Sequence, residues 1–272
     1  QALADAAAYP WCYAAVGIHP DHASEYPGLG SDDPAARKES EEKLGRDLEE
    51  IRKLAADPKA MCIGEIGLDY YYGTDDRVQQ QELFRRQIRL ANELRLPIMI
   101  HSRDAHQLTM DILKEEGAFS EERKSWFPGR PAPGALSPEA YRADVKLPGE
   151  YKDPETGMLM VPDARVQMHC FSGSPELAIE YIKLGATISL GGPITFKNGK
   201  KAAEAARQTP IEFLLSETDA PYMAPEPLRG RPNKPPYIEH IVRRMAMLKG
   251  ISCDEAARVL VMNGRRFFDI TE

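Results

Sequence analysis

Short apolar runs alternate with stretches of helical period along most of this 272-residue chain. The runs at 12–18, 61–69, 97–100, 165–168, 186–190 and 211–216 are nearly continuous in apolar residues, as strands buried on both faces are. Between the first two, Leu44, Leu48, Ile51 and Leu54 recur at helical spacing behind an Asp33-Pro34 start. Leu83, Phe84, Ile88, Leu90, Ala91 and Leu94 give the next helix its inner side. Further helices are predicted over 1–8, from the end of the third run to about 116, and over 175–184, 199–208 and 236–249. Ser252 caps the last helix, with Asp254 and Glu255 in its first turn. The texture changes at about 117–163, which is rich in proline and glycine and has no sustained period, with a small hairpin at 151–161 around Thr156-Gly157. That stretch reads as an insertion in a single domain spanning 1–272.

Strands alternating with helices imply a parallel sheet, and the fold class expected is α/β, a TIM (β/α)8 barrel. The six strands are two short of a closed barrel, and the first helix has no strand before it to cross over from. The first two strands are therefore expected to lie before Gln1. An open doubly wound sheet is the competing arrangement; it brings the ends of non-neighbouring strands together less well than a closed sheet does.

The strand ends carry the candidate chemistry. One run holds Glu65, and three others lead into His101, His169 and Asp219. Alternation puts Met61, Ile63 and Glu65 on one face, where a carboxylate beside aliphatic neighbours needs a partner. Singly, each histidine reads as a hydrogen-bonded rim residue and each acid as a helix cap. Together, at the end of the barrel where active sites lie, they favour a divalent-metal site (Mg²⁺, Mn²⁺ or Zn²⁺). Such an ion lowers the pKa of bound water to about 7, so no serine or cysteine nucleophile is required.

Composition narrows this further. Cys12, Cys62, Cys170 and Cys253 are scattered with no Cys-x-x-Cys, which argues against a thiolate zinc site and for reduced thiols in the cytoplasm. A net charge of −7 gives no overall basic face for gripping a long duplex. No run of about 18 apolar residues is present, so no membrane span is expected.

Four motifs in order carry a family resemblance: Gly64-Glu65-Ile66-Gly67-Leu68-Asp69, His101-Ser102-Arg103-Asp104-Ala105, His169-Cys170-Phe171-Ser172-Gly173 and Glu217-Thr218-Asp219-Ala220-Pro221-Tyr222. With Gly17-Ile18-His19-Pro20 and Arg229-Gly230-Arg231-Pro232-Asn233, they resemble the TatD family of metal-dependent deoxyribonucleases. The resemblance covers nearly the whole chain outside the insertion. It implies a metal-dependent hydrolase barrel, a site for one or two divalent metal ions (Mg, Mn or Zn) and phosphodiester hydrolysis by metal-activated water, most simply as a 3′-5′ deoxyribonuclease on strand ends or single strands of DNA. It also implies that Glu65 bridges two ions, that His101 and His169 hold one, and that Asp219 holds the other and acts as base.

Three departures stand out. The family opens with a strand ending in His-x-His, which this sequence lacks, and His19 and His22 do not take its place. Lys234 stands where the family carries an acid. The 117–163 segment is longer than the family's connection and is expected at the bottom of the barrel, in a structural or partner-binding role, with the protein partner unknown. For substrate, Arg103, Arg229, Arg231 and Lys197 are the phosphate candidates, the first two favoured by the family pattern. Tyr70, Tyr71, Tyr72, Phe171 and Tyr222 are candidates to stack on bases, with packing on the rim as the alternative for the three consecutive tyrosines. Two other functions compete: hydrolysis of a cyclic amide, an ester or an aminoacyl-tRNA bond on the same scaffold, and a non-catalytic barrel that lost its first metal.

Overall fold

The computed structural model of the chain describes residues 1–71, 73 and 75–271; Tyr72, one of the stacking candidates, lies outside the described residues. It forms two compact units, Gln1–Arg123 and Lys124–Glu272.

The first unit runs α1 (Ala2–Ala8), β1 (Ala14–Val16), α2 (Pro34–Leu54), β2 (Ala60–Asp69), α3 (Arg77–Leu94), β3 (Ile98–Arg103) and α4 (His106–Glu115). β1 pairs with β2 and β2 with β3, both in parallel, so their C-terminal ends share one edge. Ile63, Ile66, Leu68, Ile98 and Ile100 are fully buried, which accounts for the unbroken apolar runs. Asp33 caps α2 by accepting from the Ala35 N–H at 3.0 Å, with Pro34 in the first turn. α3 turns Leu83, Phe84, Ile88 and Ala91 inward and stops at Arg95, which takes the left-handed conformation.

α5 (Glu121–Ser125) carries the chain into the second unit. There β4 (Arg130–Pro131), β5 (Tyr151–Lys152) and β6 (Leu159–Val161) make a small antiparallel sheet in the order β4-β6-β5. Periodic structure resumes with β7 (Val166–Met168), α6 (Pro175–Lys183), β8 (Ala186–Leu190), α7 (Lys200–Gln208), β9 (Leu214–Ser216), α8 (Ile238–Lys249) and α9 (Cys253–Phe268). β7, β8 and β9 are parallel, with Met168 opposite Ile188 and Leu190 opposite Ser216. Ser174 and Ser252 cap α6 and α9, accepting from Leu177 N at 3.2 Å and Glu255 N at 3.1 Å.

The insertion is fastened at the N-terminal ends of these strands. Arg130 donates to the carbonyls of Gly185 at 3.0 Å and Ala186 at 3.1 Å, just where β8 begins. Glu212, before β9, accepts from the N–H groups of Gly134 at 3.0 Å and Leu136 at 3.2 Å. Asp163 is buried among Arg130, Arg165 and Arg266, all ion-paired to it, so the insertion returns to β7 through a charged knot. Among the described residues no helix is long and apolar enough to cross a membrane.

Three predicted elements differ. The run at 12–18 is extended only over Ala14–Val16, because the backbone of Ile18 turns to the side chain of Gln87 instead of a neighbouring strand. The run at 211–216 opens as a 3₁₀ turn, Ile211–Phe213, and only Leu214–Ser216 is strand. Asn263 holds that turn by donating to the carbonyls of Ile211 and Leu214. Simple alternation also fails along β2: its register with β3 shifts between Ile63 and Ile66, so Ile63 is buried while Met61 and Glu65 are partly open.

Candidate metal centre

In the first unit the candidate side chains gather where β1, β2 and β3 end. His19 follows β1 by two residues beyond Gly17, Glu65 sits at the register shift of β2, and His101 lies in β3. One ligand atom from each of His19, Glu65 and His101 lies within 4.8 Å of the other two. The rings of His19 and His101 meet edge to face at 4.8 Å. His101 stands between two carboxylates, its Nδ1 2.8 Å from Glu65 Oε1 and its Nε2 2.9 Å from Asp69 Oδ2. Gly67 makes the approach of β2 to β3 possible: at φ +146° a Cβ there would run into the carbonyl oxygen of His101.

Asp69 is itself fixed. Its N–H donates to Gln80 Oε1 at 2.8 Å, and its Oδ1 accepts from Tyr71 N at 2.9 Å. Burial pulls the His101 imidazolium down, but Glu65 and Asp69 on its two nitrogens outweigh that, so its pKa stands above the ordinary value. His19 goes the other way: burial and the neighbouring His101 lower its pKa and favour the neutral ring that a ligand requires. Arg103 stacks on the ring of Tyr71 at 3.6 Å, with one guanidinium nitrogen 3.9 Å from Asp69.

The second unit has a matching set of residue types where β7 and β9 end. His169 Nδ1 lies 2.7 Å from Glu217 Oε2, and its Nε2 3.5 Å from Asp219 Oδ1. The Ser189 hydroxyl, from β8, donates to the same Glu217 oxygen. The other oxygen of Glu217, Oε1, is buried and has no hydrogen-bond partner among the described residues. Cys170 at φ 42° and Asp219 at φ 57° are both left-handed, a conformation that non-glycine residues hold only where their surroundings enforce it. For Asp219 the enforcing neighbour is Asn233, whose Nδ2 donates to the carbonyls of Thr218 at 2.6 Å and Tyr222 at 2.7 Å.

The donors fit a divalent ion. Imidazole nitrogens and carboxylate oxygens are the set that Zn²⁺, Mn²⁺ and Mg²⁺ take in hydrolytic sites. A buried Glu217 oxygen with no hydrogen-bond partner among the described residues, and a histidine flanked by carboxylates on both nitrogens, suit a site that holds a cation. Cys62 adds no ligand: burial pushes its thiol up to about 12.

Of the expected residues, Glu65 and His101 meet in the first unit, and His169 and Asp219 meet in the second. His19, not counted among the ligands in the sequence, lies beside Glu65 and His101, whereas His22 pairs with Glu25. Asp69 and Glu217 were also missed; both lie inside the quoted motifs, Glu217 two residues before Asp219. Phe171 is 5% exposed and its ring meets that of Tyr181 edge to face at 6.2 Å, while Tyr222 is 70% exposed. Tyr70 is held by Gln81 and lies under Arg77, as a packed rim residue would be. Arg229 stacks on Phe196 at 4.3 Å.

The sequence pattern of the family described as TatD related DNase matches residues 1–269. Among curated proteins, the chain is 36% identical over 262 residues to the uncharacterized metal-dependent hydrolase YabD of Bacillus subtilis, covering 96% of this chain and 79% of that one. It is 31% identical over 277 residues to a protein named 3′-5′ ssDNA/RNA exonuclease TatD in Erwinia tasmaniensis, covering 99% and 83%. Among solved structures it resembles YjjV, a TatD homolog of Escherichia coli K12, with a TM-score of 0.68 and 27% identity over 99% of this chain and 82% of that one. The fold class is accordingly α/β, of the TIM-like barrel type.

Proposed function

From the premise that the chain belongs to the TatD-related DNase family, we propose that it hydrolyses phosphodiester bonds, as a 3′-5′ exonuclease acting on the ends of single-stranded DNA. By family it is a metal-dependent hydrolase. The observation that carries the finer reading is the His19, Glu65 and His101 cluster, a nitrogen and oxygen set suited to a hydrolytic ion. The relative named as an exonuclease on ssDNA and RNA supports the substrate class.

A bound divalent ion would supply an activated water and offset negative charge at phosphorus. His19, Glu65 and His101 would hold it in the first unit, with Asp69 orienting the His101 ring from the far nitrogen. In the second unit His169 and Asp219 are ligand candidates, and Glu217 sets the orientation of His169. Asp219 is the candidate acceptor for the proton of the attacking water. Arg103, braced on Tyr71, and Arg229, braced on Phe196, offer guanidinium groups for phosphate. The exposed ring of Tyr222 offers a face for a terminal base. A cytoplasmic location belongs to this reading, with all four cysteines unpaired.

The test is a single strand labelled at either end, incubated with Mg²⁺, Mn²⁺ or Zn²⁺. Stepwise loss from the 3′ end by the parent, abolished in Glu65→Ala, is the expected result. A parent inactive on DNA and RNA with all three ions, or activity that survives Glu65→Ala, would sink the proposal.

A further inference from the structure

A groove of about 730 Å³ opens in the second unit between the loop that follows β8 and the helices α7 and α8. Lys197, Lys200, Arg243, Arg244 and His240 line it, against two acids, Glu204 and Glu226. Glu204 is already engaged, accepting from Arg207 at 3.0 Å through both oxygens. Arg243 is engaged too, paired with Glu239 one turn back. Arg244 donates its Nε to the carbonyl of Ile194 at 3.2 Å, which fixes the direction of its head. Among the described residues no carboxylate pairs with Lys197, Lys200 or Arg244. Three cations therefore face one uncommitted carboxylate, Glu226, in a chain whose net charge is −7. Phe196, Ala203, Met247 and Leu248 supply apolar surface between them, and Met247 is 71% exposed.

The groove is joined to the candidate chemistry by a single loop. Gly191, at its start, lies against Glu217: a Cβ there would stand 3.4 Å from the Glu217 carbonyl oxygen. Thr195, further on, lines the groove, and its hydroxyl accepts from Glu226 N at 2.9 Å. Arg229, on the chain that follows Asp219, lies over Phe196 at the groove's wall.

We infer that this groove binds the sugar–phosphate backbone of a single strand a short way from the bond being cut. Lys197, Lys200 and Arg244 take phosphates, and the apolar surface around Phe196 and Met247 takes sugar and base faces. Cations interleaved with apolar and aromatic surface suit a flexible strand, whose bases are free to turn towards the wall. This inference rests on the nuclease reading and adds to it a second subsite. Its consequence is that affinity rises with strand length.

The experiment measures binding of phosphorothioate single strands of about 4 and about 12 nucleotides to the metal-loaded protein by fluorescence anisotropy. The parent is expected to bind the longer strand at least about tenfold more tightly. Lys197→Glu with Lys200→Glu should remove most of that gain, and should flatten the slope of log affinity against log salt by about 1.4, at ~0.7 for each lost contact. Both lysines are exposed, so the variant is expected to keep the parent's circular dichroism; if it does not, Lys200→Gln alone replaces it. Lys183→Glu, an exposed charge change on α6 outside the groove, should leave the length gain intact. A length gain untouched by the groove variants, or no gain in the parent, overturns the inference. Failure of the parent to bind either strand overturns the nuclease reading beneath it.

Discussion

Gln87 grips Ile18 as a neighbouring strand would: its Oε1 accepts from the Ile18 N–H at 2.6 Å, and its Nε2 donates to the Ile18 carbonyl at 3.0 Å. Two turns earlier on α3, Gln80 holds Asp69 in the same way, at 2.8 and 2.9 Å. The two residues so held flank the metal cluster, since Ile18 precedes His19 and Asp69 contacts His101. Gln87→Leu keeps the bulk but strips both backbone groups of their partner. It is expected to cost about 2–4 kcal/mol in urea unfolding. By loosening His19 it should also weaken Mn²⁺ or Zn²⁺ binding on the order of 10–100-fold in calorimetric titration. A variant that loses stability but binds metal as the parent does would show that Gln87 supports the fold alone.

Glu217 is expected to matter through His169. Its Oε2 faces His169 Nδ1 at 2.7 Å and accepts from Ser189. Glu217→Gln preserves shape but removes the charge that favours one ring orientation. Hydrolysis should fall by about 10–100-fold, the usual effect of losing a partner behind a ligand histidine. Ser189→Ala, which leaves the carboxylate in place, should fall by less. Equal losses in the two variants would argue against this division of roles.

Strand order and residue types were legible because two-sided burial writes itself as unbroken apolar runs. Ile63, Ile98, Val166 and Ile188 are fully covered, and each falls in a run predicted as strand. Glu65, His101, His169 and Asp219 stood out as polar residues where such runs stop. His19 does not stand out in the same way, because it follows its run after a glycine and an isoleucine and reaches Glu65 only through the fold. Asp69 and Glu217 went unseen for a related reason: what they do depends on which nitrogen of a histidine they face. The shortening of the 12–18 run has the same origin, a side chain from α3 taking the place of a strand partner. Phe171 reads as a stacking residue by type, and its burial beside Tyr181 is a feature of the fold that residue type does not carry.

Lys249 gives the stability a pH dependence. It is 1% exposed, and its Nζ donates to the carbonyls of Tyr141 at 3.1 Å, Arg207 at 2.8 Å and Thr209, tying the insertion to α7 and α8. Burial pushes its ammonium down to about 7, against 10.5 for an ordinary lysine. Between those values the unfolded chain carries a proton that the folded chain lacks, so stability rises with pH across that window. The slope contributed is up to ~1.4 kcal/mol per pH unit. Urea midpoints of the parent should climb from pH 7 to 9 relative to those of Lys249→Met. Parallel curves would mean that Lys249 does not titrate there.

Asn233 carries the sharpest contrast between isosteric variants. It is 4% exposed, and its amide bridges Thr218 and Tyr222 across the left-handed turn that presents Asp219. Its Oδ1 accepts from Lys234 N at 2.9 Å, and its own N–H donates to the Pro221 carbonyl at 2.9 Å. Asn233→Ala removes the bridge and is expected to cost about 1–3 kcal/mol. Asn233→Asp keeps the shape but turns a second oxygen towards two carbonyls, so repulsion replaces two hydrogen bonds. It should therefore be at least as harmful as alanine despite its closer fit. If Asp219 is the proton acceptor, the loss should fall mainly on kcat, by on the order of 100-fold, with KM changed far less. Thermal unfolding and steady-state kinetics on both variants decide it. An aspartate variant as active as the parent would mean that the turn holds Asp219 in place without Asn233.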